Sequence, residues 1–221
     1  MSVRVHHVPF SRSFRVLWML EELGLSADIV MHSIRTGSMR TPEVQSISPA
    51  GRAPAVEMDG VTMFESGAIL EYLAEQHPEA GLGVAVGHVE RPRFLQMIHF
   101  AETQASLIEQ LNMSHVFLRD PAMASPTVIK LNTRRLQATL SALETMLESD
   151  SYLLARGFSA ADIMMGFNLF AASYYVVLTD YPKVFAYRDR LAHRPSYHAA
   201  RAKDGQQEFY AQDFYPIPEG S

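Results

Sequence analysis

Two adjacent polar residues stand where the apolar pattern of a helix begins. Glu65 and Ser66 directly precede apolar residues at helical spacing, namely Ile69, Leu70 and Leu73. The first backbone N–H groups of a helix have no partner inside it, and they attract a carboxylate. A plain N-cap formed by either polar side chain is the alternative. The pattern therefore indicates a carboxylate-binding site or a capping pair.

Pro54 stands where the chain enters a predicted strand, and proline is poorly tolerated inside a central strand. A cis Ala53–Pro54 bond would turn the chain sharply and leave the backbone groups of Ala53 pointing outward. Those groups could then pair with the backbone of an extended peptide ligand. An ordinary trans proline at the start of a strand is the alternative.

A third polar cluster, Ser11-Arg12-Ser13, separates a predicted strand from a predicted helix. Either serine can cap that helix. A hydroxyl that donates to an anion beside a helix N-terminus also favours the charged form. Arg12 adds a guanidinium at the same place, whereas Arg15 is expected to form a salt bridge or to cover the helix surface.

The elements that must position these clusters follow the order β-α-β, a loop, then β-β-α. Asp59-Gly60 between two short apolar runs predicts a tight β-hairpin. A crossover followed by a hairpin gives a mixed four-stranded sheet with helices packed on it. The predicted elements are strand 3–7, a helix that Gly24 ends, strand 29–34, one helical turn after Pro42, strands 55–58 and 61–64, and helix 65–76.

The strand signal nearly disappears in the second half of the chain. Residues 77–88 contain Pro78 and three glycines without any periodicity, and they predict a domain boundary. We therefore expect a first domain at 1–80, a linker at 81–90 and an all-helical domain at 91–221. Its predicted helices are 91–118, 126–149, 159–178, 184–192 and 196–202, followed by an irregular tail at 209–221. Ser159 and Asp162 have the spacing of a capping box for the third of them.

The composition excludes several kinds of chemistry. The 221 residues include no cysteine, so disulfides, Cys-ligated zinc and a protein thiol nucleophile are excluded. The formal charge of −5 does not suggest a nucleic-acid partner. The nine histidines are scattered, and His6 and His7 point to opposite faces of a strand, so no metal site is expected. No apolar run approaches the roughly 20 residues of a membrane span, and we expect a cytoplasmic protein with no membrane partner.

Four segments resemble, in their order along the chain, motifs of the glutathione S-transferase family. The resemblance is to bacterial, serine-type members, theta-like or unclassified. It implies a thioredoxin-like glutathione-binding domain followed by an all-α helical bundle. The segments are Ser11 to Gly24, Pro49-Ala50-Gly51-Arg52-Ala53-Pro54-Ala55-Val56, Phe64-Glu65-Ser66-Gly67-Ala68-Ile69 and Gly157-Phe158-Ser159-Ala160-Ala161-Asp162-Ile163.

The resemblance implies a glutathione site and a role for each candidate residue in it. Glu65 and Ser66 would bind the γ-glutamyl α-carboxylate, and the backbone of Ala53 would hold the cysteinyl part. Arg52 lies in the loop where family members often bind the glycyl carboxylate, and Arg40 in the same loop is expected to be solvated.

Ser11 matches the position of the catalytic serine in that family. A free thiol has a pKa of about 8.5, so a hydroxyl that donates to the sulfur would increase the ionised fraction at neutral pH. Arg12 and Ser13 are the alternative partners of the sulfur. The absence of cysteine excludes the cysteine-type classes, and no tyrosine lies near this position.

On the first helix of the second domain, Glu102 could reach the γ-glutamyl amine of glutathione, as acidic residues do in related proteins. Gln104 is the competing residue, and a role in helix charge or core hydrogen bonding is the alternative for both. Several residues of this domain could line an apolar pocket or pack in the core: Met113, Phe117, Tyr174, Tyr175, Phe209 and Tyr210.

The family implies a detoxification transferase that uses glutathione as co-substrate, needs no metal and forms a homodimer. Its thiolate would attack a small hydrophobic electrophile. The alternatives are a glutathione-dependent isomerase or dehalogenase, and a non-catalytic binding protein on the same fold, like the RNA-polymerase-associated stringent starvation protein.

Overall fold

The computed structural model describes residues 2–148 and 151–218, which divide into two compact units. The first comprises Met1–Arg91 and Ala192–Glu208, and the second Pro92–Leu191 and Phe209–Ser221. The predicted helix end at Ser149 and the last three residues of the predicted tail lie outside the described residues. The sequence prediction assigned residues 192–208 to the second domain, whereas their contacts are with the first unit.

A four-stranded mixed sheet forms the centre of the first unit, as predicted. The central strand β1 pairs in parallel with β2 and antiparallel with β3, and β4 lies at the edge beside β3. The hairpin turn is at Asp59 and Gly60, both with positive φ, 46° and 83°. The strands are β1 Val3–His7, β2 Asp28–Met31, β3 Ala55–Met58 and β4 Val61–Phe64.

Strand β2 ends three residues before its predicted end at Ile34. The chain turns away from the sheet there, because the Ser38 hydroxyl accepts a hydrogen bond of 3.0 Å from the backbone N–H of Ser33. A short 3-10 helix follows at Ser38–Arg40.

Four helices belong to the first unit: α1 Phe14–Glu22, α2 Pro42–Ile47, α3 Ser66–Gln76 and, far along the chain, α8 Pro195–Asp204. The apolar side of α1 explains why α8 packs there. The Tyr197 ring lies edge-on against Trp18 and Phe14, at centroid distances of 5.1 and 5.7 Å. Arg194 makes two hydrogen bonds of 2.7 Å to the Glu22 carboxylate. Edge-on aromatic contacts and a bidentate ion pair together hold α8 on α1.

Gly205, directly after α8, has a φ of 87° and little room for a side chain. An added Cβ would lie 2.6 Å from Met31 Cε and 3.1 Å from Pro9 Cγ. We expect Gly205→Ala to lower the free energy of unfolding by about 1–3 kcal/mol, measured by urea titration. Gly24→Ala is the control for a positive φ, since Gly24 has a φ of 64° and no atom within 4 Å, whereas Gly205 combines φ 87° with ψ −170°, a region that essentially only glycine adopts. Equal losses in the two variants would contradict this additional backbone and packing strain at Gly205.

The second unit is built of helices, as predicted: α4 Arg91–Asn112, α5 Pro126–Met146, α6 Ala160–Ala172 and α7 Pro182–Ala192. Helix α4 is followed by a π-helical turn at Met113–Phe117. The one predicted helix 159–178 is α6 followed by turns and a 3-10 segment, Leu178–Asp180. Within residues 2–148 and 151–218, no helix is long and apolar enough to cross a membrane.

The predicted capping box at the start of α6 is present and extends into a larger buried network. The Asp162 carboxylate accepts hydrogen bonds from the backbone N–H and hydroxyl of Ser159, at 2.8 and 2.9 Å. It also accepts from the Leu153 N–H at 2.9 Å and the Tyr187 hydroxyl at 2.7 Å. Burial raises the pKa of Asp162, and these four donors oppose that shift.

Candidate functional site

The first unit contains a pocket that gathers six of the predicted site residues from three separate segments. Arg12 comes from the turn before α1, and Arg52, Ala53 and Pro54 come from the loop before β3. Glu65 and Ser66 come from the start of α3. The remaining lining residues are Ser48, Ala50 and Phe64.

The loop before β3 is closed by the buried Ser48. Its hydroxyl donates to the Arg52 carbonyl at 2.9 Å and accepts from the Arg52 N–H at 3.3 Å. The Ala53–Pro54 peptide bond is cis. Strand β3 then begins at Ala55, which pairs with Phe64 on β4.

The Glu65–Ser66 pair has the backbone of an anion site. Glu65 has φ 70° and ψ 110°, a conformation that costs a non-glycine residue about 1–3 kcal/mol and is often found at functional sites. Its side chain makes no capping hydrogen bond, so the plain N-cap interpretation is wrong for Glu65. The first N–H groups of α3, starting at the buried Ser66, therefore have no side-chain cap from Glu65 and lie at the end of the helix that borders the pocket.

Arg15, which was expected to form a salt bridge or to cover the helix surface, lies behind this site. Its side chain is completely buried, and Nη1 donates to Ser66 Oγ at 2.8 Å. The expectation that Arg15 covers the helix surface is wrong, because α1 is buried on nearly all sides. Arginine can only donate, so the Ser66 hydroxyl must accept from it and keeps its own hydrogen for a ligand. The buried guanidinium also places a positive charge close to any anion bound at Ser66.

Ser11 is partly exposed in the turn between β1 and α1, and it is not among the residues that line the pocket. Its N–H donates to the Val8 carbonyl at 3.2 Å, and its carbonyl accepts from Phe14 at 3.0 Å. Phe10, directly before it, has a left-handed φ of 57°. Strain next to a candidate catalytic residue is typical of functional sites.

Ser13 is completely buried and does not cap α1, so the capping expectation is wrong for it. Its hydroxyl accepts from the Val8 N–H at 3.1 Å, because the side chain turns back towards β1. It also contacts Ser11 Oγ and His7 Nδ1, both at 2.8 Å. With no exposed surface, Ser13 can act on a ligand only through Ser11.

Sequence reasoning missed two residues beside this cluster, His7 and Asp204. His7 Nε2 lies 3.1 Å from Asp204 Oδ1 and 2.9 Å from the Asp204 carbonyl oxygen. The same Oδ1 accepts from the Phe10 N–H at 3.1 Å, which holds Phe10 in its strained conformation. The side-chain alternation of the strand indicated only that one of His6 and His7 faces inward. Nothing in the pattern indicated that the partner of His7 lies near the end of the chain.

Glu102 and Gln104 lie on α4 in the second unit. Glu102 is half-buried, whereas Gln104 is completely buried and its Nε2 donates to Thr139 Oγ1 at 3.1 Å. The core hydrogen-bonding alternative is therefore confirmed for Gln104. The role of Glu102 stays a prediction.

The aromatic residues that were named from the sequence form pairs within the second unit. Tyr174 stacks on Tyr210 at a centroid distance of 3.8 Å, and Phe117 lies edge-on to Phe209 at 5.6 Å. The hydroxyls of Tyr175 and Tyr210 both donate to Asn112 Oδ1, at 2.5 and 3.0 Å. Burial raises the pKa of both phenols, so neither ionises near neutral pH.

His6 points away from His7, as the strand pattern predicts. His6 Nδ1 lies 2.9 Å from His32 Nε2, and His6 Nε2 lies 3.4 Å from Glu57 Oε1. Burial, followed by the nearby His6, lowers the pKa of His32.

In the part of the chain that the structure describes, no group of three potential ligands is arranged to hold a metal ion.

Comparison with known proteins places this chain in a family. Residues 1–75 match the N-terminal domain of glutathione S-transferases and residues 113–203 match a C-terminal domain of the same family. Glutathione S-transferase 3 of Schizosaccharomyces pombe is 30% identical over 90% of this chain and 86% of its own length.

Solved structures agree with this assignment. A sphingomonad glutathione S-transferase complexed with glutathione is 25% identical, has a TM-score of 0.77 and aligns over 92% of this chain and all of its own. The glutathione transferase URE2P8 of Phanerochaete chrysosporium, solved with oxidised glutathione, is 22% identical and shares the fold at a TM-score of 0.80, over 92% and 94% of the two chains. This chain has a mixed four-stranded sheet and a cis Ala53–Pro54 bond in its first unit, and its second unit is helical. The chain belongs to the glutathione S-transferase family.

Proposed function

We propose that this protein is a glutathione transferase that binds glutathione in the pocket of the first unit. The observation that carries the proposal is the convergence of the Ala53-Pro54 loop and the Glu65-Ser66 helix start on one pocket. The glutathione complexes of structural relatives support it. Calorimetric titration tests it directly, since the proposal fails if glutathione does not bind at millimolar concentration.

Each part of glutathione has a complementary partner in this proposal. The γ-glutamyl α-carboxylate accepts from the Ser66 hydroxyl and the first N–H groups of α3, near the buried charge of Arg15. The backbone of Ala53, before Pro54, pairs with the cysteinyl part. Arg12 and Arg52 line the pocket and supply positive charge for the remaining carboxylate.

In the chemical step that we propose, Ser11 donates a hydrogen bond to the glutathione thiolate. The sulfur then forms a bond to an electrophilic carbon of a small apolar substrate, and the leaving group departs with the electron pair. In an isomerase or dehalogenase, the alternative enzymes, the same thiolate would add to the substrate and leave again.

Ser66→Ala is expected to weaken glutathione binding about 10- to 100-fold, because a hydrogen bond to a charged group contributes about 1.5–3 kcal/mol. The dissociation constant is measured by calorimetric titration. Ser26→Ala, at an exposed position of the same unit, is the matched control and should bind normally.

A glutathione analogue without the γ-glutamyl α-carboxylate shows which ligand group Ser66 binds. The effect of Ser66→Ala should disappear with this analogue, since the pair of groups is then already broken. An undiminished effect would contradict the assignment of this carboxylate to Ser66.

We also propose a cytoplasmic homodimer, in which Glu102 could approach the γ-glutamyl amine across the dimer interface. The resemblance to the family supports both statements. Sedimentation that shows only a 24.8 kDa species at micromolar concentration would contradict the dimer.

A further inference from the structure

A continuous chain of hydrogen-bonding groups leads from the partly exposed Ser11 into the interior of the first unit. Ser11 Oγ lies 2.8 Å from Ser13 Oγ, which lies 2.8 Å from His7 Nδ1. On the other side of the imidazole ring, His7 Nε2 lies 3.1 Å from Asp204 Oδ1. Ser13, His7 and Asp204 are buried, with side chains that water does not reach. The chain therefore connects the candidate catalytic hydroxyl to a buried imidazole–carboxylate pair.

The partners of His7 determine which ring nitrogen carries the hydrogen in the neutral form. Nε2 faces two oxygens of Asp204, the carboxylate Oδ1 and the backbone carbonyl, and both can only accept. Nε2 must therefore donate, which leaves Nδ1 of a neutral His7 as an acceptor. An aspartate that fixes the tautomer of a histidine, so that its other nitrogen accepts from a serine, is the arrangement used by serine hydrolases.

When His7 is neutral, the hydroxyl hydrogens of Ser11 and Ser13 both point towards the interior. The Ser13 hydroxyl donates to His7 Nδ1 and accepts from the Val8 N–H, which leaves it one more acceptor position for Ser11. The Ser11 hydroxyl then donates to Ser13 and not outward. The Val8 carbonyl, 3.2 Å from Ser13 Oγ, could take the Ser13 hydrogen instead, but Nδ1 would then be a buried acceptor without a donor. In this state Ser11 can accept a hydrogen bond from a thiol but cannot donate one to a thiolate.

Protonation of His7 at Nδ1 reverses the two hydrogen bonds between His7 and Ser11, while Nε2 continues to donate to Asp204. Nδ1–H then donates to Ser13, Ser13 donates to Ser11, and Ser11 donates outward. Ser11 Oγ still accepts from the Ser13 N–H at 3.2 Å, so each oxygen keeps a full set of partners in both states. The outward-donating state is the one that a thiolate at Ser11 requires.

We propose that His7 receives the proton of the glutathione thiol through Ser11 and Ser13, and that Asp204 stabilises the resulting imidazolium. This inference rests on the proposed function, because it assumes a glutathione sulfur at Ser11. The thiol S–H bond breaks and its proton binds Ser11 Oγ, the Ser11 proton passes to Ser13 Oγ, and the Ser13 proton passes to His7 Nδ1. The products are a thiolate and an imidazolium, so the net charge does not change and no other reactant is needed.

The charges around His7 are consistent with this transfer. Asp204 Oδ1 faces His7, while its Oδ2 contacts the Arg201 guanidinium, which lies 4.0 Å over the Phe10 ring. The backbone N–H of His32, a further titratable residue, donates to the His7 carbonyl at 2.7 Å. The positive charge of Arg201 opposes a positive charge on His7, whereas the Asp204 carboxylate, which lies between Arg201 and His7, favours that charge. The new negative charge on the sulfur compensates the added positive charge.

The test uses the wild-type protein with selectively ¹⁵N-labelled histidine and follows the ring nitrogens of His7 by NMR. Glutathione at saturation should convert Nδ1 from an acceptor to a protonated nitrogen. S-methylglutathione, which has the same carboxylates but no thiol proton, should leave Nδ1 an acceptor. Thiolate absorbance in the same sample reports whether the thiol has ionised. An ionised thiol beside a neutral His7 would overturn this inference and leave the proposed function intact, whereas absence of binding would overturn the proposed function.

Proton release provides a second readout on the wild type. Because the proton stays inside the protein, glutathione binding should release close to no protons to the buffer, measured by calorimetry in buffers of different ionisation enthalpy. Release of about one proton per thiolate formed would overturn the transfer to His7. His7→Asn should raise the pKa of the bound thiol by about one unit, a tenfold lower thiolate fraction. His6→Asn, on the opposite face of the same strand, should leave that pKa unchanged.

Discussion

Replacing Ser11 with alanine is expected to raise the pKa of the bound glutathione thiol by about 1–2 units. A hydrogen bond to a charged acceptor contributes about 1.5–3 kcal/mol, and one pKa unit corresponds to about 1.4 kcal/mol. The thiolate fraction at neutral pH, and with it the rate of attack on an electrophile, should fall about 10- to 100-fold. The pKa is measured from thiolate absorbance as a function of pH, with the variant saturated with glutathione.

Ser46→Ala is the matched control for that experiment. Ser46 lies exposed on α2, where its hydroxyl donates to the Glu43 carbonyl, so its loss should change neither binding nor the thiol pKa. An unchanged pKa in Ser11→Ala would contradict the assignment and move the role to Arg12, which lines the pocket. Ser13 could not take that role directly, because its side chain is buried.

Removing the Asp162 carboxylate is expected to cause the largest loss of stability in the second unit. Asp162→Ala would leave four buried donors without their acceptor, from Ser159, Leu153 and Tyr187. We expect the free energy of unfolding to fall by about 3–5 kcal/mol, measured by urea titration followed by circular dichroism.

Two variants show whether the loss comes from this buried network. Tyr187→Phe removes a single donor and should cost about 1 kcal/mol. Asp120→Ala removes an exposed carboxylate that caps a short 3-10 helix through the Ala122 N–H, so it should also cost about 1 kcal/mol. A loss in Asp162→Ala no larger than in Asp120→Ala would contradict the importance of the network.

Local patterns predicted the parts of the fold that local interactions determine. The Asp59-Gly60 hairpin, the capping box at Ser159 and the start of α3 each depend on residues a few positions apart. Their propensities agree with the final fold, so the pattern alone was sufficient.

Long-range contacts account for what the sequence did not predict. The partner of His7 is Asp204, 197 residues away along the chain. The burial of Arg15 depends on α1 being covered on most sides, including the side occupied by α8. A short helical pattern near the end of the chain indicates a helix but does not indicate which surface it packs on.

The sequence predicted the main segments of the candidate site but not the buried residues behind them. The segments around Pro54 and Ser66 were recognised together because they form ordered motifs, and the structure brings them to one pocket. The Arg15–Ser66 hydrogen bond and the His7–Asp204 pair lie behind the residues of those motifs. Neither pair has a spacing along the chain that could have identified it.

Titration with glutathione, monitored both by the heat of binding and by thiolate absorbance, tests most directly whether the first unit is a glutathione site that activates the thiol. We expect saturable binding at or below millimolar concentration, with a bound-thiol pKa below the free value of about 8.5. No heat and no thiolate signal at millimolar glutathione would contradict the proposed function.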